Sequence, residues 1–484
     1  MPRRRTLLLS TAAAVAALGA AGVGVTPAWQ RPRFTAGFAD LRPAPLPPAA
    51  PAEVAPPVTT DLDVRVAGAV LRATVHSPTL PGRHPAVVLV PGGGPATRAG
   101  LTDQADRLAR AGIVALVFDK RTAGYSFVRR DYGQLADDAV ALLRVLRARS
   151  DVDASRTGLW GVSEGGWVVP LAAAREPAVA FTVLVNAPTM SPGAQLSWAI
   201  DDGLRRQHAP AGARRLAARA MAMGGTGYTD HDALPALRGL TRPVLALYGT
   251  ADRAVPPAQS ARILLDTVTA PCTVRFFPGA DHGMKVAGRY AGGYVDTMVA
   301  WITGLPATAS APPAVAGASP EQAFAAAEPP VPAWGRLPVV AAAQATLAAA
   351  AVTALVATRR ARGSTAAAPL SGGVAGSRVR RAVRRAVWAG LGTGVGINLG
   401  VGAFVGLGFV DAPPAVSHGV WLLLRLGAVG TVAATVSAAG AVLDARRAGW
   451  RPGRAGAVAL AGAGVATAAA LGLGAYWELF GPRW

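Results

Sequence analysis

The sequence predicts two kinds of structure in one chain: a doubly wound, mostly parallel α/β sheet with a helical cap insertion, then an all-α transmembrane region. Three observations predict it. Short unbroken β-branched runs alternate with helical stretches between residues 61 and 304, proline-rich segments bracket that region, and charge-poor stretches of membrane-spanning length follow it. The chain has 484 residues, too many for one average domain. Its 51% hydrophobic composition is unevenly spread, so each segment is read separately.

Arg3, Arg4 and Arg5 precede an uncharged stretch from Thr6 to Val25, which is followed by the small-residue segment Thr26-Pro27-Ala28. A basic start before an apolar run reads as a signal peptide or signal-anchor helix over residues 1–28. The run is long enough to span a membrane, at about 20 residues, and the paired arginines are compatible with twin-arginine export. Residues 29–60 and 305–336 are proline-rich, poor in charge and without periodicity, which predicts extended linkers. Between them, Asp61 to His76 predicts two strands turning near Ala67-Gly68. The runs Ala86–Val90, Ile113–Phe118, Thr157–Trp160, Phe181–Val185, Val244–Tyr248 and Thr273–Phe277 follow, separated by helical stretches. Apolar runs of this kind suit parallel strands covered on both faces, and their alternation with helices gives the α/β class. Residues 189–242 form the cap insertion, with helical stretches at Ser197–Gln207 and Ala211–Met223. Trp198, Met221, Met223 and Tyr228 in it either line an acyl pocket or simply pack the cap.

Four charge-poor stretches come next, at residues 337–357, 387–410, 417–443 and 455–477, each near the roughly 20 residues needed to cross hydrocarbon. Eight arginines lie between Arg359 and Arg385 and four between Arg446 and Arg454, flanking alternate ends of these stretches. The positive-inside rule then puts both arginine-rich loops in the cytoplasm and the α/β domain outside, in agreement with Arg3 to Arg5 at the start. Much of the net charge of +21 is thereby a matter of membrane topology, and a nucleic-acid partner is not expected. Gly392, Gly396 and Gly400 recur every four residues, a spacing that lets helices approach closely. Arg425, inside its apolar run, is expected to snorkel to the outer interface. The single cysteine, Cys272, excludes an intrachain disulfide and a cysteine-based metal cluster, and its strand-like setting predicts a buried neutral thiol.

Chemistry concentrates in the α/β region. Gly161-Val162-Ser163-Glu164-Gly165 follows a strand-like run and precedes a helical stretch, the setting in which a GxSxG serine is exposed on a sharp turn. A serine hydroxyl needs a histidine to take its proton and a carboxylate to hold that histidine's tautomer. His282, in Gly279-Ala280-Asp281-His282-Gly283, is the only histidine between His231 and the membrane stretches. Asp252 stands at the end of the strand before it and is the expected acid, with Asp281 the alternative. Two backbone amides would meet a developing oxyanion, those of Glu164 and Gly93 in the run Pro91-Gly92-Gly93-Gly94-Pro95. The Glu164 side chain is expected to point away from the reaction. His208 and His231 lack the spacing of a metal site, and no metal or organic cofactor is expected.

The motifs Val87-Val88-Leu89-Val90-Pro91-Gly92-Gly93-Gly94-Pro95, Phe118-Asp119-Lys120-Arg121, Gly161-Val162-Ser163-Glu164-Gly165-Gly166, Tyr248-Gly249-Thr250-Ala251-Asp252 and Asp281-His282-Gly283 stand in an order that resembles bacterial α/β-hydrolases. The group is that of serine esterases and prolyl-oligopeptidase-like, dienelactone-hydrolase-like enzymes, and the resemblance covers about residues 61–304. Pro91 replaces the family's histidine before the glycines, and Thr122 its glycine after the Asp-Lys-Arg run. The resemblance implies an acyl-enzyme mechanism in which Ser163 attacks, His282 relays the proton and Asp252 orients it. The expected substrate is a small-molecule or lipid-like carboxylic ester, with an amide or thioester as variants. An acyltransferase would use the same triad, and a non-catalytic binding module joined to a membrane transport or signalling region is the alternative of a different class. Nothing in the sequence sets an oligomeric state.

Overall fold

The structure is a computed structural model that describes residues 2–39, 42–43, 55–126, 129–224, 231–309, 313–363 and 372–481. Along the chain come α1 (Pro2–Val25), β1 (Arg42–Pro43), β2 (Val58–Val66), β3 (Ala69–Ser77), β4 (His84–Val90), α2 (Thr102–Arg110), β5 (Val114–Phe118) and α3 (Tyr132–Arg147). There follow β6 (Val152–Val162), α4 (Gly165–Arg175), β7 (Thr182–Val185), α5 (Pro192–Arg206), α6 (Ala211–Ala222), α7 (Leu234–Arg238), β8 (Val244–Gly249), α8 (Pro257–Thr267) and β9 (Cys272–Phe277). The last are β10 (Lys285–Val286), β11 (Arg289–Tyr290), α9 (Tyr294–Gly304), β12 (Ala314–Ala316), α10 (Leu337–Gly363), α11 (Gly372–Leu407), α12 (Pro414–Arg447) and α13 (Arg454–Tyr476). They form two units, one of Arg31–Ala199 with Thr226–Ala327 and one of Met1–Gln30, Ile200–Gly225 and Glu328–Trp484.

The first unit is built on a ten-stranded sheet in the order β1-β12-β9-β8-β7-β6-β4-β5-β3-β2. Its β2–β3 and β3–β5 pairs are antiparallel, and all others are parallel. The β2–β3 hairpin turns on Gly68, whose φ of +72° suits glycine. Alternation along β4 explains the double winding. Ala86, Val88 and Val90 pack on one face with Leu142 and Leu143 of α3 and Val168 of α4. Val87 and Leu89 pack on the other with Leu108 of α2 and Met298 and Ile302 of α9. Burying each such Val, Leu or Ile contributes about 1.5–3 kcal/mol, so both faces hold the strand in place. Cys272 is fully buried, and burial pushes its thiol up to about 12.

The proline-rich segments are not plain linkers. β12 adds to the sheet parallel to β9, with Ala314 beside Thr273, and β1 pairs with β12. Arg33 bridges to Phe324, and Phe38 packs edge-on against Phe276. The Arg31 guanidinium donates to the carbonyls of Ala327 (3.0 Å) and Ser197 (2.9 Å). An extended proline-rich chain already has near-strand dihedrals, and the open edge of β9 offers unpaired backbone groups to it.

Among the described residues, the second unit contains five helices long and apolar enough to cross a membrane, spanning Thr6–Gly24, Leu337–Ala361, Gly373–Leu407, Pro414–Arg447 and Arg454–Tyr476. α11 has 36 residues and α12 has 34, about 50 Å each at 1.5 Å per residue against ~30 Å of hydrocarbon. The surplus turns are those that carry arginines, at the start of α11 and the end of α12. Residues 200–225 of the expected cap insertion pack within this helical unit. The insertion thus divides, its first and last parts staying with the sheet unit. Trp421 of α12 is fully buried, and a Cβ on Gly212 would lie 2.2 Å from its ring. Gln207 donates to the carbonyls of Leu407 (2.6 Å) and Val410 (2.7 Å), satisfying acceptors at the end of α11. Arg215 (2.9 Å) and Arg219 both pair with Glu478, just beyond α13. Thr26 donates to the Tyr476 carbonyl, and the Tyr476 hydroxyl to that of Gly335. The finishing ends of α1, α11 and α13 and the starting ends of α10 and α12 therefore gather beside the insertion, and the arginine-bearing turns lie at the opposite ends. Arg425 donates to the carbonyls of Leu479 (3.2 Å) and Gly481 (2.6 Å). Gly396 and Gly400 let α11 approach Leu424 of α12, while a Cβ on Gly392 would meet nothing.

Candidate active site

Ser163 stands between the last residue of β6 and the first turn of α4 with φ +54°, a left-handed conformation costly for a residue with a Cβ. The turn exists because its neighbours are small. A Cβ on Gly161 would lie 2.4 Å from the Gly165 carbonyl oxygen, and one on Gly165 would lie 2.6 Å from that of Val90. The Ser163 amide donates to the Val185 carbonyl (3.0 Å), tying the turn to β7.

The structure brings Ser163, His282 and Asp252 together. His282 Nε2 is 2.9 Å from Ser163 Oγ, and its Nδ1 is 2.8 Å from Asp252 Oδ2. A neutral imidazole with its proton on Nδ1 satisfies both contacts, donating to the carboxylate and accepting from the hydroxyl. Asp252 is buried, and its Oδ1 accepts from the amides of Ala254 (2.7 Å) and Val255 (3.0 Å), which fixes the carboxylate plane. Asp281 instead closes its own turn, accepting from the Gly283 and Lys285 amides at 2.9 Å each. Burial disfavours the charged form of His282, but the Asp252 carboxylate and its hydrogen bond outweigh this, with help from Asp281, and hold the imidazole above its ordinary range.

Asn186 was not among the sequence candidates. It follows β7 with φ +43° and is fully buried. Its Nδ2 donates to the carbonyls of His282 (2.9 Å) and Asp281 (3.2 Å), and its Oδ1 accepts from the Gly249 amide (2.8 Å). One side chain thus joins the histidine loop to the strand that leads to Asp252. The only signal in the sequence is a lone amide after the apolar run Phe181–Val185, where a side chain with both a donor and an acceptor can link two loops.

On the other side of Ser163, a Cβ on Gly92 would lie 3.3 Å from the serine Cβ, and one on Gly93 would lie 3.7 Å from Glu164 Oε2. Gly93 and Glu164 therefore meet beside the serine. The Glu164 carboxylate, 2% exposed, turns to a cluster of three partners: Lys120 Nζ (2.8 Å), Arg130 Nη1 (2.6 Å) and Tyr125 Oη (2.8 Å). Lys120 also donates to the Gly92 carbonyl, and the Gly94 amide donates to Tyr125 Oη (2.8 Å). Burial lowers the Lys120 pKa, opposed by Glu164 and assisted by Arg130. Burial and Glu164 push that of Tyr125 up. The run Asp119-Lys120-Arg121 divides its labour here. Asp119 accepts from Arg98, Arg121 pairs with buried Asp138 at 2.6 Å, and Lys120 alone turns to the site. Charged residues directly after a fully buried strand were the available signal.

The remaining pocket candidates that the structure describes belong to different units. Trp198 packs with Met190, Ala194 and Ala326 in the sheet unit. Met221 and Met223 belong to the core of the helical unit. Tyr228 lies outside the described residues.

A mostly parallel sheet, a serine on a strained strand-to-helix turn, an aspartate after β8 and a histidine after β9 make up the α/β-hydrolase fold with its nucleophile turn. Residues 104–305 match the prolyl oligopeptidase family. The chain is 28% identical over 200 residues to the Salmonella typhimurium protein YfhR, itself uncharacterized. That stretch is 40% of this chain and 63% of the relative's length. Among solved structures, similarity extends to dienelactone hydrolase from Anabaena variabilis, with 20% identity, a TM-score of 0.35, and 51% of this chain and 95% of that one covered. It extends also to acylaminoacyl peptidase from Pyrococcus horikoshii, with 16% identity, a TM-score of 0.38, and 52% and 41% covered.

Proposed function

We propose that the protein is a membrane-anchored hydrolase of carboxylic esters, working through an acyl-enzyme on Ser163 with its hydrolase domain outside the cytoplasm. The observation that carries the catalytic part is the continuous relay from Ser163 Oγ to His282 Nε2 (2.9 Å) and from His282 Nδ1 to Asp252 (2.8 Å). In this reading His282 takes the hydroxyl proton as Ser163 attacks the acyl carbon, then gives it to the departing alkoxide. The carboxylate balances the imidazolium formed in between. Water, activated by the same histidine, releases the acid and regenerates the serine. The amides of Glu164 and Gly93 are the proposed oxyanion donors; among the described residues, neither donates to a protein acceptor.

Five membrane-length helices with arginines at one end and the docked insertion at the other support the anchoring and the orientation. A membrane setting favours a lipid-like ester as substrate. The test is a fluorophosphonate probe together with p-nitrophenyl esters of increasing acyl length and matched aminoacyl anilides. The probe should label the wild type and leave Ser163→Ala unlabelled, and esters should turn over faster than anilides. Persistent labelling of Ser163→Ala would remove the nucleophile assignment, and preferential anilide cleavage would make the enzyme a peptidase.

A further inference from the structure

We infer that Lys120, Tyr125 and Glu164 form a brace, buried at Lys120 and Glu164, that sets the geometry of the oxyanion hole. The inference rests on the proposed role of Ser163 and names three positioning residues for that reaction. An oxyanion hole built from Gly93 and Glu164 takes its donors from two segments far apart in sequence, and both must be about 2.7–3.1 Å from one developing oxygen. The glycine run that carries the first donor has no side chains to lock it. Something outside the run must do so.

The contacts are suited to that task. The carbonyl of Gly92 and the N–H of Gly93 belong to one planar peptide unit, in which the two bonds point in opposite directions. Lys120 Nζ donates to the Gly92 carbonyl oxygen, and this fixes the direction of the Gly93 N–H. An ammonium on the carbonyl also polarises the peptide and makes its N–H a stronger donor. The next link is held as well, because the Gly94 amide donates to Tyr125 Oη (2.8 Å). Both gripping groups end on the same atom, Glu164 Oε1, at 2.8 Å each. Glu164 is the residue whose backbone amide is the other proposed donor. Its side chain thus ties the loop bearing one donor to the turn bearing the other. Lys120 and Glu164 are 3% and 2% exposed, so solvent screens the arrangement little. With Arg130 added, the cluster holds two cations and one anion beside the place where negative charge develops.

The full-length protein in detergent micelles provides the test. Lys120→Met, Lys120→Arg, Tyr125→Phe and Glu164→Gln would be compared for ester hydrolysis, fluorophosphonate labelling and affinity for a phenylboronic acid, whose tetrahedral adduct puts an oxygen in the hole. Tyr125→Phe and Lys120→Met should lose about 10- to 100-fold in kcat, somewhat less than deletion of an oxyanion donor itself. KM should stay within about twofold, boronate affinity should fall in step with kcat, and Lys120→Arg should recover part of the loss. Tyr125→Phe removes one oxygen, so it serves if a charge variant fails to fold. The brace is refuted if folded Tyr125→Phe and Lys120→Met keep wild-type kcat, or if the loss falls on KM alone. Absence of Ser163 labelling in the wild type would instead remove the nucleophile reading, and the brace with it.

Discussion

Replacing Asp252 with Asn tests the relay at its most buried point. In the wild type, Oδ1 accepts two backbone amides and Oδ2 accepts the proton of His282 Nδ1. An asparagine keeps its carbonyl oxygen on the two amides, which leaves its NH2 facing Nδ1. Two donors then confront each other, and the imidazole relieves this by moving its proton to Nε2. That nitrogen, 2.9 Å from Ser163 Oγ, can no longer accept the hydroxyl proton. The expected loss is about 10⁴ in kcat, or roughly 5.5 kcal/mol at 1.36 kcal/mol per tenfold. Asp281→Asn should stay within about twofold, because an amide oxygen can still accept the Gly283 and Lys285 amides and so keep the turn closed. Steady-state ester hydrolysis at pH 8, with circular dichroism to verify folding, measures both. A folded Asp252→Asn retaining more than a tenth of wild-type kcat, or a larger loss in Asp281→Asn, would refute the tautomer argument.

Further predictions concern pH, a linking residue and topology. If neutral His282 is the base, as proposed, its raised pKa means that kcat/KM should fall as pH drops through a midpoint above the ordinary imidazole value of 6.5; in Asp252→Asn the midpoint should move down, since burial then acts with less opposition. By linkage, the stabilising Asp252–His282⁺ interaction is fully present below pH 6.5 and is lost as pH rises through the folded-state pKa, which denaturant titrations across that range would record. Asn186→Ala should lower stability by about 1–3 kcal/mol by leaving the buried Gly249 amide without its acceptor, and should also reduce kcat because the histidine loop loses two tethers. Thermal unfolding and turnover measured on the same sample check both, and a variant unchanged in each would contradict the tethering role. Single cysteines at Ser319, Ala415 and Ser371 in a Cys272→Ser background should divide in intact cells, with 319 and 415 reacting with an impermeant thiol reagent and 371 protected until permeabilisation. Labelling at 371, or protection at 319, would invert the orientation.

The parts of the fold legible in the sequence were those where one residue pattern admits one environment. A run such as Val244–Tyr248, apolar at every position, fits a strand covered on both faces, and β8 is buried along its whole length. Ser163, Asp252 and His282 were legible because each follows a strand in chain order and because Gly161 and Gly165 mark the turn. β12 was not legible, since three residues in a proline- and alanine-rich segment carry no periodicity and their pairing depends on the edge of β9. Nor was the Glu164 cluster, which draws Lys120, Tyr125 and Arg130 from a separate loop. The apolar face of α6 showed that the helix packs against something. Leu216 and Ala217 would look the same beneath a sheet as against Trp421.

On the proposed membrane-anchored reading, the division of the insertion bears on how the hydrolase domain could be released. Leu204, Ala213, Leu216 and Ala217 are covered within the helical unit, yet they sit in the middle of the hydrolase sequence. A protease acting between residues 328 and 336, together with one acting just after α1, would free both chain termini of the domain and still leave residues 200–225 held. A domain expressed without the helices would carry the same side chains bare to water, each full exposure of a leucine costing about 1.5–3 kcal/mol. If the proposed anchoring and orientation hold, shedding, the route by which many surface enzymes become soluble, would be closed to this chain unless residues 200–225 were also cut out or found another cover.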